Sequence, residues 1–347
     1  GAILTNANLT GATLQATSAR NVVATGVNLT AATFTTVDLT GANLSGALGR
    51  AASMSGVVLA QANLTGARFG GNSNNSVALD GADLTGANLT NADLRAAKLS
   101  NAVITGANLS GTDLRGGVAY DGLRSGLVTA TAATNLPDDT WVRSGWFMGE
   151  GVDLTGANLS GMSLTNIDLG TAALTGANLA GADLTGTNLT GAGLRGADLT
   201  GTVLARATLG GADLRESTIA KANLFRASFD NTTSGGPPNT TFTYTRLSGL
   251  DLRGAGLLKA VNGWGLVDFS GSNLAGEEFA DDGNFTNSLF VGANITGTHF
   301  RSGSGHITFN ATNFTGASGT PIIGGGGVYW DPTICPNGTV SQGVACW

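Results

Sequence analysis

The side chains in these 347 residues that could perform chemistry are few and scattered. Cys335 and Cys346 flank a short stretch containing Pro336, Asn337 and Gly338. That spacing suits a disulfide and hence an oxidising compartment, with two free buried thiols as the alternative. Such a small ring contributes roughly 2 to 3 kcal/mol at most in the loop-entropy picture. His299 and His306 have no carboxylate or cysteine at ligand or triad spacing, so neither a zinc site nor a nucleophilic triad is expected. Glu277, Glu278, Asp281 and Asp282 offer carboxylate oxygens to a hard cation, yet their spacing is not that of a calcium loop and a solvated bulge explains them equally well. No catalytic residue, cofactor or metal site is assigned, and the chain is read as a non-enzyme. Trp141, Trp146 and Phe147 are the more credible binding residues, because aromatics on an inserted loop stack on sugars or anchor a protein partner; packing back against the body of the protein is the alternative.

Composition narrows the partners. Charged residues make up 12% of the chain, about half the ~25% usual in soluble proteins. The formal net charge is -6, with no basic footprint for nucleic acid and no polybasic segment for an anionic membrane. No apolar run approaches the ~18 residues of a membrane span. Gly1 opens directly into the repeating pattern without a charged leader or apolar signal core, as expected of a mature or trimmed chain.

The elements that must hold these residues announce themselves by period. Leu4, Leu9 and Leu14 begin a register of apolar residues every five positions that runs to Leu114, resumes at Leu154 and reaches Phe229. A helix needs spacings of three and four and a strand needs alternation, so the chain must turn a corner every five residues. Ala19, Ala24, Gly49 and Asn74 are poor fillers of that column. A looser third stretch from Phe242 to Phe314 replaces Leu largely by Phe.

Units such as Ala7-Asn8-Leu9-Thr10-Gly11, Ala42-Asn43-Leu44-Ser45-Gly46 and Ala182-Asp183-Leu184-Thr185-Gly186 resemble those of pentapeptide-repeat proteins. The resemblance covers most of the chain. It implies an all-β, right-handed quadrilateral β-helix, in which the central Leu or Phe and the small residue two before it point inward and four units make one coil. On that basis 1–115 is repeat β-helix, 116–152 an inserted loop and hairpin about Ser144-Gly145, and 153–230 the helix continued. A loop at 231–241, irregular Phe-rich coils at 242–320 and a disulfide-closed C-terminal cap at 321–347 complete the division. The insertion resembles segments that punctuate the repeats of some secreted bacterial members.

If a coil is twenty residues, Thr5, Thr25, Ser45, Thr65, Thr85 and Thr105 stack as one hydroxyl ladder. Such a ladder could match ordered ice or polysaccharide, or could serve only to stabilise adjacent strands. Some relatives present an acidic stripe to a topoisomerase as DNA mimics, but here Asp93, Asp113 and Asp213 sit beside Arg95, Arg115 and Arg215, which cancel the field. Arg195 with Arg215, and Arg206 with Arg226, would stack and could hold anionic glycans or be merely solvated. Asn8-Leu9-Thr10 and many similar triplets match the glycosylation pattern only because the repeat generates them. Ala2, Ile3 and Leu4 are already in register, so the first coil is expected to offer an edge for homo-oligomerisation. The expected protein is a secreted or surface-exposed binding scaffold whose partner is an unidentified protein or polysaccharide, without nucleic acid, membrane or cofactor.

Overall fold

The computed structural model describes all residues except 1, 73, 117–119, 132–133, 135, 137–139, 220–221, 225–226, 228–244, 246, 251, 254–265, 280–284, 303–306, 326–327, 330–331, 342–345 and 347. It forms two compact units, Gly1–Leu154 and Thr155–Trp347. The strands are β1 (Thr13–Gln15), β2 (Thr33–Thr35), β3 (Trp141–Arg143), β4 (Trp146–Met148), β5 (Glu278–Phe279), β6 (His299–Ser302), β7 (Ile307–Thr308), β8 (Ile322–Gly325), β9 (Val328–Tyr329), β10 (Thr333–Ile334) and β11 (Val340–Ser341). No helix among the described residues is long and apolar enough to cross a membrane.

Each five-residue unit is a local solution to burying one apolar side chain. The amide of the small residue donates to the carbonyl of the preceding centre, as Ala47 does to Leu44 at 3.0 Å, which closes a four-residue turn. The second central residue of the turn takes positive φ, 66° at Gly46 and 56° at Asn6, as a type II turn requires, so glycine or asparagine recurs there. The unit then presents one bridging residue to the next coil. Ile3 bridges to Val23, Asn8 to Asn28 and Val23 to Asn43, so one coil is four units long. Leu44 and Leu64 on the axis are 2% and 1% exposed, and Ala42 and Ala62 beside them are fully buried. Asparagine before the centre caps its own turn: Asn63 Oδ1 accepts the Thr65 amide at 3.1 Å and the Thr65 hydroxyl at 2.6 Å. This cap is the physical reason for the recurrent Asn-Leu-Thr triplets.

Coil length varies in the first unit. Ser53 bridges to Ala78 and Asn63 to Asn88, so this coil is five residues longer than its predecessors. The extra residues form a loop in which the Asn72 amide donates to Asn75 Oδ1 at 2.8 Å. Further on, Arg124 bridges to Asp153 across the segment holding β3 and β4.

In the second unit the same coils run from Asn158, which bridges to Asn178, to Val203, which bridges to Asn223. Nearer the C-terminus the steps lengthen unevenly, from Asp268 to Leu289 and from Leu289 to Asn313. Phenylalanine fills these wider coils: Phe269, Phe290 and Phe314 stack with centroids 4.9 and 4.8 Å apart, and Phe279 stacks on Phe300 at 5.0 Å. Hydroxyls at the second inward position stay satisfied when buried. Thr298 donates to the Leu274 carbonyl at 2.8 Å and Thr312 to that of Phe285 at 2.6 Å. Antiparallel β10 and β11 end the chain's described strands, and Cys335 is disulfide-bonded to Cys346. The 231–239 loop, Phe229, Phe242 and Trp330 lie outside the described residues.

Candidate binding surfaces

The hydroxyl ladder expected from the sequence is not one column. Thr5, Thr25, Ser45 and Thr65 do stack: the amides of Asn6, Gly26 and Gly46 donate to the carbonyls of Thr25, Ser45 and Thr65 at 2.8 to 2.9 Å. The next rung is Thr90, whose carbonyl accepts from Gly66 at 2.9 Å, and then Ser110, which accepts from Asn91 at 2.9 Å. Thr85 and Thr105 belong to a different column, above Thr40 and Ala60, because Gln61 donates to Thr85 at 2.8 Å. The long coil between Ser53 and Ala78 moves the residues of the coils that follow it in the first unit on by one face.

The corrected column keeps a hydroxyl at every rung from Thr5 to Ser110. Beside it Asn43, Asn63, Asn88 and Asn108 bridge in succession, and Asn63 Nδ2 donates to Asn43 Oδ1 at 3.3 Å. The hydroxyls of Ser45, Thr65 and Thr90 each donate to the asparagine two before, at 2.6 to 2.8 Å. Their proton positions are thereby set, with hydroxyl lone pairs and asparagine amide hydrogens left for a ligand. The result is a neutral strip with rungs ~4.8 Å apart.

This strip leads to a cleft. Thr129 occupies the rung after Asn108. Thr129 and Thr131 line a cleft of about 480 Å³, with Val128, Leu136, Val142 and Ser144 among the other walls. Among the described residues no charged side chain contributes to the lining. The β3–β4 hairpin forms one side, with Val142 paired to Phe147 and a turn in which Ser144 and Gly145 have φ of 46° and 83°. Two consecutive positive φ values are those of a type I′ hairpin turn.

The aromatics of the hairpin divide. Phe147 is 1% exposed, and its ring packs 5.9 Å from that of Tyr120, while its amide donates to the Ser125 hydroxyl at 2.8 Å. It fills the core beside Leu123 and offers nothing to a ligand. Burial pushes the Tyr120 phenol well above its ordinary range. Trp146 is half-buried. Trp141 lies in β3, and its side chain is outside the described set.

Several charges on the coil faces are paired. Arg95 and Arg115 each reach the aspartate two residues before, Asp93 and Asp113, at 2.8 Å. Arg215 reaches Asp213 at 2.5 Å and Arg195 reaches Glu216 at 2.6 Å. These contacts set an arginine against each of Asp93, Asp113 and Asp213 and occupy both arginines of the Arg195 and Arg215 pair; Arg226 lies outside the described residues. Glu277 is 5% exposed at an inward position, whereas Asp281, Asp282 and His306 are not described. Among the described residues no group of three or more His, Cys, Asp or Glu is placed to hold a metal.

A chain of short parallel coils around an apolar interior is a solenoid repeat protein. The family model for pentapeptide repeats matches 2–41, 34–71, 79–116, 153–191 and 192–231, in eight copies. The chain belongs to the pentapeptide repeat family, whose fold is an all-β right-handed β-helix.

Similar solved structures include HetL, a pentapeptide repeat protein involved in heterocyst differentiation regulation from the cyanobacterium Nostoc sp. strain PCC 7120. It is 21% identical over 96% of this chain and 92% of its own, with a TM-score of 0.28. QnrB1, a plasmid-mediated fluoroquinolone resistance protein, is 16% identical over 64% and 86% respectively, with a TM-score of 0.25. Rfr23 from the cyanobacterium Cyanothece 51142 is 24% identical over 51% and 91%, with a TM-score of 0.16. No curated protein sequence matches. None of these likenesses carries a function over to this chain.

Proposed function

We propose that this protein is a non-enzymatic binding scaffold, secreted or held at the cell surface, that lays a neutral polysaccharide along the hydroxyl and asparagine strip of its first unit and into the cleft beside the hairpin. The observation that carries this reading is the unbroken column Thr5, Thr25, Ser45, Thr65, Thr90 and Ser110, beside an asparagine column whose next rung after Asn108 is the cleft residue Thr129. Regular hydroxyls with preset protons meet sugar hydroxyls at little entropic cost, because the strip is already ordered. The bond between Cys335 and Cys346 supports the oxidising setting. Within this reading the coils are four-sided and 321–347 closes the end of the helix.

A second reading, association of copies, is supported by the first coil. Ile3 is 76% exposed, and Leu4, Leu9 and Leu14 on the axis are only half-buried. Sedimentation velocity over a wide concentration range tests it, and a monomer throughout would sink it. Pull-down on insoluble polysaccharides, beside an ice-recrystallisation assay and a supercoiling-inhibition assay, tests the main reading against ordered-ice binding and DNA mimicry. Binding to no polysaccharide would refute it.

A further inference from the structure

The five-residue lengthening of one coil does more than shift the register. In a regular coil the amide of the turn residue donates to the carbonyl one position after the next centre, as Ala31 does to Arg50 at 3.0 Å. By that pattern Ala51 should donate to Gly70. It donates instead to Asn75, at 2.9 Å, on the far side of the inserted loop. The Gly70 carbonyl is released from the ladder, and the Arg50 side chain takes it up through Nε at 3.3 Å. Arg50 is therefore drawn one rung along, onto the coil segment that carries Arg68.

This leaves a distinctive patch. The column Leu48, Arg68, Asp93, Asp113 and its neighbour Arg50, Gly70, Arg95, Arg115 run side by side. Together they hold four guanidiniums against two carboxylates, on a chain whose net charge is -6. Asp93 and Asp113 are committed to Arg95 and Arg115. Among the described residues no carboxylate lies within salt-bridge distance of Arg50 or Arg68, and both are exposed.

We infer that Arg50 and Arg68 form a binding site for the acidic groups, carboxylate or sulfate, of an anionic polysaccharide. A planar guanidinium binds either group through two parallel hydrogen bonds, and Arg50 keeps its terminal nitrogens available while Nε is engaged. The flanking Asp93 and Asp113 favour a sugar polymer over nucleic acid: they accept hydrogen bonds from sugar hydroxyls and repel a dense line of phosphates. The site stands on observations separate from the hydroxyl strip and does not depend on it.

The test measures equilibrium binding of the full chain to polygalacturonate, dextran sulfate, neutral dextran and single-stranded DNA, at low and high salt. The site predicts binding to at least one of the two acidic polysaccharides, weakened by salt, and about tenfold weaker in R50Q/R68Q with an unchanged melting midpoint. The carboxylate and sulfate arms identify which group is held. R195Q/R215Q, whose arginines are already paired, should bind like the parent. Undiminished binding by R50Q/R68Q, no binding to either acidic polymer, or tighter binding to DNA than to both would overturn the inference. Retained polygalacturonate binding without any binding to neutral polysaccharides would refute the hydroxyl-strip reading and leave this site standing.

Discussion

Gly49 and Phe69 share one place in the core. Gly49 stands where the five-residue pattern calls for a large apolar side chain, and a Cβ there would lie 2.4 Å from Phe69 Cδ1. Phe69, one coil later and 1% exposed, fills the space for both. Gly49→Leu should therefore destabilise the protein by about 1 to 3 kcal/mol through overpacking. Adding Phe69→Leu should recover most of that loss, as a favourable coupling in a double-mutant cycle read by urea denaturation. Additive losses would refute the shared filling.

The register of the lengthened coil can be read chemically. Adjacent coils lie ~4.8 Å apart, within the Cα range of a disulfide. T65C/T90C should form a new disulfide on oxidation, seen by mass spectrometry, whereas T65C/T85C should keep two free thiols. The reverse result would restore the uniform twenty-residue ladder.

The bond between Cys335 and Cys346 spans a sequence separation of 11. C335S/C346S should lower stability by roughly 2 to 3 kcal/mol if the segment it closes unfolds with the rest of its unit. Calorimetry with and without reductant checks this, and an unchanged midpoint would contradict it.

Acid should weaken the coils. Asp38 is held at about 2, first by the Thr40 hydroxyl, then by the Thr40 amide and Arg20. Hydrogen bonds from Arg95 and Arg115 lower Asp93 and Asp113. A carboxylate whose folded pKa lies below its unfolded value adds stability that is present above the unfolded value and is lost as pH falls through the folded one. The melting midpoint should thus fall between about pH 4 and about pH 2. D38N should fall less steeply over that window, and identical slopes would exclude Asp38 as a contributor.

The column of centres from Leu4 to Leu114 made the fold legible, because only a chain that turns every five residues can bury it. The wall phase was not legible, for a physical reason. The inserted loop is itself five residues long, so Leu79 and Leu84 keep the same numerical register as Leu64 and Phe69 although they have moved one face onward. The sole trace is local chemistry: Gly70, Gly71, Asn72 and Asn75 are turn formers, and Asn74 stands where a filler is due. Spacing alone therefore does not mark Thr90 and Ser110 as rungs of the ladder. No periodic signal shows that an inserted strand returns the Phe147 side chain to the core. Arg50 and Arg68 become neighbours only through the freed Gly70 carbonyl, a relation no residue spacing reveals.

The central claim is that the neutral strip of the first unit holds a polysaccharide. The most direct measurement is co-sedimentation with chitin and with cellulose, comparing the intact chain with T65K/T90K on the strip and with T85K/T105K on the other column. The account predicts binding by the parent and by T85K/T105K, and its loss in T65K/T90K. Equal binding by all three proteins, or by none, would contradict it.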